Sequence, residues 1–328
     1  MAGSYRVLVT RQVPQPGLEL LHRCCQDVEV NPRDRDLSPQ ELLERVTGRD
    51  AVLCVLTDRI DAAVLDAAGP QCRVFANLAV GYDNIDLADA TRRGVMVTNT
   101  PGVLTDATAE LTWALLLAAA RRIVEADRFF RSGRWAGWGP MQFLGGQLAG
   151  QTLGILGAGR IGTAVALRSS GFDMKVLYCD ATRNQQLETR IGAQRVDLHS
   201  LFEQSDYVSI HVNLTASNRH LVDEPLLRRM KPTARLVNTS RGPIIDEAAL
   251  VQVLREGRIA AAALDVYESE PEPEPGLVEM ENVVCVPHIG SATSQTREKM
   301  AIMAAENITA ALTGHRPLNL VNTEVWKD

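Results

Sequence analysis

One six-residue segment, Gly157-Ala158-Gly159-Arg160-Ile161-Gly162, constrains this chain most. It sits directly behind the apolar run Thr152-Leu153-Gly154-Ile155-Leu156 and ahead of a helical pattern over Thr163–Ser169. Three glycines at this spacing are a weak signal in isolation and a specific one at a strand-to-helix turn. Gly157 permits the tight turn. Gly159 has no side chain, so the backbone can approach a pyrophosphate. Gly162 lets helix and strand pack closely. The phosphates then meet the free N–H groups at the helix N-terminus. The next strand, Lys175–Cys179, ends at Asp180, 18 residues beyond Gly162. An acidic group about 20 residues on is the expected partner of the adenosine ribose. Its carboxylate accepts hydrogen bonds from the ribose hydroxyls and repels a 2′-phosphate, which favours NAD over NADP. Arg183, close by, keeps NADP open. The bland alternative is a glycine turn in an ordinary α/β sheet.

The rest of the chain agrees with a nucleotide-binding sheet. Strand-like runs at Arg6–Thr10, Ala51–Leu56, Val74–Ala79 and Val95–Thr98 alternate with helical patterns such as Pro39–Val46 and Asp61–Ala67. Such alternation means βαβ units and a parallel sheet. Pro101-Gly102 breaks it. A long helix is expected from about Thr105 to Phe130, burying Leu111, Ala114, Leu115 and Ala118. A Gly- and Trp-rich loop follows between Ser132 and Gly150. A second series then runs through Thr152–Leu156, Lys175–Cys179, Tyr207–Val212, Arg235–Thr239, Ala260–Val266 and Val283–Pro287. A final helix over Thr296–Leu312 stops at Gly314, a good residue for a helix end. Glu268–Pro275 reads as a charged surface loop.

Composition narrows the function. With 328 residues the chain has room for about two domains. Its 34 Lys and Arg against 40 Asp and Glu give a net charge of −6, without the basic surplus of a nucleic-acid binder. The longest apolar run, Trp113–Ala120, is eight residues, and a membrane-spanning helix needs about 20. Cysteines at 24, 25, 54, 72, 179 and 285 form no CxxC pair, and no metal site is indicated. Reduced thiols and a start without cleavable signal architecture set the expectation of a cytoplasmic protein.

Three polar residues stand just after later strands, where α/β sheets place ligands. Arg241 follows Leu236–Ser240, Glu270 follows Ala263–Val266, and His288 follows Val284–Pro287. Each has a dull reading: a surface charge, one acid among several, a strand cap. Together they read as a catalytic set.

Five motifs in order carry a resemblance. They are Asn77–Asp86, Gly157–Gly162, Asn238–Gly242, Leu264–Pro271 and Pro287–Thr293. The chain resembles the D-2-hydroxyacid dehydrogenase family nearly end to end. Pro101–Asp106, the Trp-rich loop and Leu320-Val321-Asn322 are most similar to its glyoxylate/hydroxypyruvate reductases. The resemblance implies two Rossmann-like α/β domains. A doubly wound NAD(P)-binding domain, residues 102–289, is inserted into a flavodoxin-like substrate domain of residues 1–101 and 290–328. It implies a homodimer using the helix after Thr105, and an active site in the cleft between the domains. Arg241, Glu270 and His288 take the positions of the family's catalytic triad. Val80 and Gly81 take those of the substrate-carboxylate loop, with Leu56, Trp138, Arg241 and His288 as further substrate contacts. Cofactor contacts fall on Thr105, Gly157, Gly159, Arg160, Ile161, Gly162, Asp180, Thr239, Ser240, Asp265 and Gly290. Asp265 matches a contact to the nicotinamide amide, and Trp138 a residue that reaches the partner's site. Asn213 replaces the family's usual Pro. Asp180-Ala181 replaces the Ser or Gly plus Arg of many NADP-using relatives.

The implied chemistry is reduction of a small 2-oxoacid. His288, as imidazolium, gives a proton to the keto oxygen, and Glu270 holds its other ring nitrogen. Arg241 grips the carboxylate in a bidentate contact. Two rivals remain. One is another dehydrogenase of the family, of phosphoglycerate or 2-ketogluconate type. No regulatory domain is expected after the final helix, which lowers the long phosphoglycerate type. The other is an NAD-sensing co-repressor-like binding protein.

Overall fold

The computed structural model describes residues 3–327. The chain forms two compact units, one built from the segment up to Leu104 together with Ser291 onward, the other from Thr105–Gly290.

The first unit is a five-stranded sheet of β1 (Gly3–Val9), β2 (Cys25–Val30), β3 (Ala51–Cys54), β4 (Val74–Asn77) and β5 (Met96–Thr98). The strands are all parallel, in the order β2-β1-β3-β4-β5. Every residue of β3 and β4 is buried, as expected of a parallel sheet covered on both faces. Ser38, Asp61 and Asp86 cap the helices Pro39–Val46, Ala62–Ala68 and Leu87–Arg92 by accepting N–H groups of their first turns. The C-terminal helix Ser294–Leu312 packs on the helix Gln15–Cys24 and on β3 and β4. Asn322 then closes the unit. Its Oδ1 accepts the Val97 N–H at 2.8 Å and its Nδ2 donates to the Val95 carbonyl at 2.9 Å.

The second unit carries β6 (Thr152–Leu156), β7 (Lys175–Cys179), β8 (Gln194–Arg195), β9 (Tyr207–Ile210), β10 (Arg235–Asn238), β11 (Ala261–Leu264) and β12 (Val283–Cys285). They form one parallel sheet in the order β12-β11-β10-β9-β6-β7-β8. From β6 the chain builds outward to β8, then crosses back to β9 on the other side. The order therefore reverses between β6 and β9, and sheets of this kind bind ligands at the carboxyl ends beside such a reversal. Leu201, Phe202, Val208, Leu236 and Leu264 fill one face, and Trp113, Leu116, Ile155, Tyr178 and Val237 the other.

The sequence missed some elements. β2 is a polar edge strand, Cys-Gln-Asp-Val-Glu-Val, with little burial to pattern it. β8 is two exposed residues. The single helix expected over Thr105–Phe130 is two, Thr105–Ala120 and Ile123–Arg131, broken where Arg122 takes a left-handed φ of 53°. The first lies in the core and the second buries nothing fully. The inward stripe is also a different one. Ala109, Thr112, Trp113, Leu115, Leu116, Ala119 and Ala120 are buried, Leu111 and Ala118 are half-buried, and Ala114 is exposed. A helix apolar all round leaves its inward face undetermined by pattern. The nucleotide-loop helix starts at Arg160, three residues before the expected Thr163, with Gly159 as its N-cap.

Gly17 tests how tightly the split unit is joined. A Cβ there would stand 2.7 Å from the backbone carbonyl of Ala301 on the C-terminal helix. Gly to Ala inside an unconstrained helix stabilises by about 1 kcal/mol, whereas overpacking costs about 1–3 kcal/mol. Gly17→Ala is expected to lower the thermal unfolding midpoint. A midpoint that rises would contradict the close contact.

Candidate active site

The glycine turn after β6 leaves room where a ligand would need it. The Gly157 N–H donates to the Cys179 carbonyl at 2.9 Å. Its φ is +93°, and a Cβ would lie 2.7 Å from the backbone of His211 and Val212. A Cβ on Gly162 would lie 2.0 Å from the Gly157 carbonyl oxygen. Over Gly159 a Cβ would meet nothing within 4 Å. That glycine is therefore not demanded by the protein's own packing; it leaves open space beside the first N–H groups of the helix Arg160–Arg168, which a helix cannot satisfy internally. The cradle fits a dinucleotide's pyrophosphate.

Asp180 closes the adjoining edge. Its Oδ2 accepts the Ala158 N–H at 2.7 Å and its Oδ1 the Thr182 N–H at 2.8 Å. Arg183 is paired with Glu188 at 2.6 Å. Arg195 donates to the carbonyls of Asp180 and Ala181 at 2.8 and 2.9 Å. Thr105 opens the helix Thr105–Ala120, whose Asp106 pairs with Arg168 of the nucleotide-loop helix at 2.7 Å.

Arg241, Glu270 and His288 belong to loops that leave β10, β11 and β12 at the same edge. Asn238 organises the first loop. Its Oδ1 accepts the N–H and hydroxyl of Ser240 at 3.0 and 2.9 Å, and its Nδ2 donates to the Arg241 carbonyl at 2.9 Å. The Thr239 hydroxyl is buried against that of Thr112 at 2.9 Å. Only glycine fits next, since a Cβ on Gly242 would lie 1.8 Å from the Tyr267 carbonyl carbon. The Tyr267 hydroxyl donates to the Val286 carbonyl at 2.9 Å, tying the loop after β11 to the one after β12.

Asp265 fixes the turn that carries the imidazole. Its carbonyl accepts the His288 N–H at 2.9 Å. Its Oδ1 accepts the Ile289 N–H at 2.6 Å and its Oδ2 the Gly290 N–H at 2.8 Å. These bonds hold His288 at a φ of 50°, a conformation uncommon outside glycine. A Cβ on Gly290 would lie 3.0 Å from the Asp265 Oδ2. Burial is the largest influence on this carboxyl and lifts it to about 6, against the pull of the two N–H groups and the His288 charge.

His288 Nδ1 lies 2.9 and 3.2 Å from the Glu270 oxygens. Burial alone would raise the Glu270 carboxyl. The hydrogen bond and charge of His288, the Tyr267 N–H at 3.1 Å and the Arg241 charge outweigh it and hold the carboxyl below its usual range. An ionised carboxylate only accepts, so Nδ1 carries a proton and Nε2 is the atom left to exchange one. His211, by contrast, is half-buried behind Gly157, shares a proton with the Ser209 hydroxyl at 2.7 Å, and is pushed down to about 3 by desolvation of its ring. It is a neutral structural residue.

The triad, Asp265 and Gly290 thus share one edge of one unit. Leu56, Val80 and Gly81 lie in the other unit, beyond the carboxyl ends of β3 and β4. Trp138 is 84% exposed in the loop after Arg131. Asn238 and Tyr267 are positioning residues the sequence reading missed. A polar residue ending an otherwise apolar strand was the available signal for Asn238; the long-range partner of Tyr267 left none.

Comparison with known proteins places this arrangement in a family. Residues 113–290 match the profile described as the D-isomer specific 2-hydroxyacid dehydrogenase, NAD binding domain. A glyoxylate reductase of Thermofilum pendens is 51% identical over 325 residues, covering 98% of this chain and 96% of its own. One from Aeropyrum pernix is 52% identical, covering 98% and 97%. Among solved structures, an NADPH-dependent glyoxylate/hydroxypyruvate reductase of Sinorhizobium meliloti, with NADP and malonate, superposes with a TM-score of 0.87 at 30% identity, covering 99% of each chain.

The Asp265 clamp gives a pH dependence. Its folded value of about 6 lies above the ordinary 3.8. Below pH 6 it binds a proton, and one oxygen stops accepting, which loosens the His288 turn. kcat/KM should fall as pH drops through about 6. Asp265→Asn, which mimics the protonated form, should be impaired throughout and lack that limb. An unchanged acid limb in the variant would assign it to another group.

Proposed function

The chain belongs to the D-isomer-specific 2-hydroxyacid dehydrogenases, and on that footing we propose that it reduces a small 2-oxoacid, glyoxylate or hydroxypyruvate, to the 2-hydroxyacid, of D configuration where the product is chiral. The observation that carries the reading is the Glu270–His288 pair beside Arg241, on the same sheet edge as the glycine cradle. When bound, the nicotinamide supplies the hydride. His288 Nε2 donates the proton to the keto oxygen as negative charge develops there, a contribution of about 10²–10⁴. Glu270 holds Nδ1 and so aims the ring. Arg241 offers the substrate carboxylate a planar, two-toothed contact that Lys could not.

The first unit is assigned as the substrate domain, with the N–H groups of Val80 and Gly81 for the carboxylate and Leu56 as a lining residue. The cofactor set is Gly157, Gly159, Arg160, Ile161, Gly162 and Asp180, joined by Thr105, Thr239, Ser240, Asp265 and Gly290. A homodimer is supported by an unburied apolar stretch, Ile123, Phe130, Trp135, Trp138, Met141 and Leu144, all at least half exposed. Patches of this kind mark interaction surfaces, and Trp138 is the candidate to reach the partner. The six free cysteines support a reducing, cytoplasmic setting. Among the described residues no helix is long and apolar enough to cross a membrane.

NADH and NADPH oxidation should be measured against glyoxylate, hydroxypyruvate, pyruvate and 2-ketogluconate. The two small 2-oxoacids named above should give the highest kcat/KM; oxidation with none of the four would defeat the assignment. His288→Ala should lower turnover about 10²–10⁴-fold and leave NADH binding intact; unchanged turnover would remove His288 from the acid role. NADH should be preferred because Asp180 repels a 2′-phosphate. Asp180→Gly should transfer preference toward NADPH, since Arg195 remains at that strand end. A variant that still prefers NADH would free Asp180 of the selecting role.

A further inference from the structure

The turn after β4 is held by its carbonyls. The Ala79 carbonyl accepts the Thr100 N–H at 2.8 Å. The Val80 carbonyl accepts Nδ2 of Asn99 at 2.8 Å, and the Gly81 carbonyl accepts Nδ2 of Asn77 at 2.9 Å. A trans peptide is planar, with its C=O and the following N–H pointing in opposite directions. Pinning these three carbonyls therefore sets the directions of the N–H groups of Val80, Gly81 and Tyr82. Successive oriented N–H groups are what an anion-binding concavity is made of.

Two of the three donors are side chains, and both are themselves fixed. Asn99 is tethered through its backbone to the C-terminal segment: its N–H donates to the Asn319 carbonyl and its carbonyl accepts Nδ2 of Asn307, each at 3.3 Å. Asn77 is fully buried and also donates to Oδ1 of Asn84 at 3.0 Å. Asn84 in turn donates to the carbonyls of Val55 and Asp58 at 3.2 and 3.0 Å. One amide network thus orients the Val80-Gly81 turn and braces the turn that carries Leu56. Aspartate in place of either Asn77 or Asn99 would keep the shape and lose the donor.

We propose that Asn99 and Asn77 are positioning residues for the carboxylate of the 2-oxoacid, acting through the Val80 and Gly81 carbonyls, and that the Tyr82 N–H joins those of Val80 and Gly81 as a third donor. This rests on the assignment of that turn to the substrate carboxylate. The assignment itself is read first from the wild-type protein, by comparing glyoxylate with methylglyoxal, a 2-oxoaldehyde without the carboxylate. A marked preference for glyoxylate is expected; equal kcat/KM would defeat the carboxylate assignment and this inference with it. Given that preference, Asn99→Ala should raise the KM for glyoxylate about tenfold, the order expected for misaligned hydrogen bonds to a charged group. Its kcat, its NADH dissociation constant and its KM for methylglyoxal should stay at wild-type values. Asn77→Asp should act in the same direction. If it does not fold, the half-buried Asn99 variant decides alone. An Asn99→Ala protein with wild-type KM for glyoxylate, or one that loses kcat and NADH binding together, would overturn the positioning role while leaving the carboxylate assignment standing.

Discussion

The ionised state of Glu270 is what the proposed chemistry depends on. A neutral carboxyl at that place could donate to Nδ1 and leave the imidazole in either tautomer. His288, Tyr267 and Arg241 together overcome the cost of burial and keep it charged. The charge dictates that Nδ1 is the donor and Nε2 the exchangeable position. Everything else at this edge serves to hold that pair still. Asp265 grips the N–H groups of Ile289 and Gly290 and keeps His288 in its left-handed conformation. Tyr267 ties the loops after β11 and β12 together, and Gly242 lets the loop after β10 pack against the backbone of Tyr267.

The two acids at this site have opposite tasks and are shifted in opposite directions. Glu270 meets a cationic partner and falls. Asp265 meets backbone amides in a drier place and rises to about 6. Environments that separate two carboxyls in this way are how one fold assigns them different roles. Here the Glu270 carboxylate orients the ring at Nδ1, and the Asp265 carboxylate orients the turn by holding the N–H groups of Ile289 and Gly290.

Much of this was legible in the sequence because it rests on local requirements. A tight turn, a close helix approach and a strand-end carboxylate each demand a residue type at a fixed spacing, so Gly157, Gly159, Gly162 and Asp180 could be read directly. The alternation of strands and helices gave the parallel architecture. Arg241, Glu270 and His288 were visible singly as polar residues after strands, and their association needed the order of motifs. The remainder depended on contacts between distant segments. β2 is a polar edge strand, so no apolar pattern marks it. The helix break at Arg122 has no glycine or proline to announce it, and the Ala- and Leu-rich helix before it could present several faces. The amides of Asn77 and Asn99 look like ordinary turn residues until the carbonyls they hold are known.

The tautomer of one imidazole tests the account most directly. In the folded protein labelled with ¹⁵N histidine, the ring signals of His288 should show the neutral ring as the tautomer with Nδ1 protonated against Glu270 and Nε2 bare. Glu270→Gln should abolish that assignment. A wild-type ring found with Nε2 protonated and Nδ1 bare would contradict it, and the proton donor would have to be sought elsewhere.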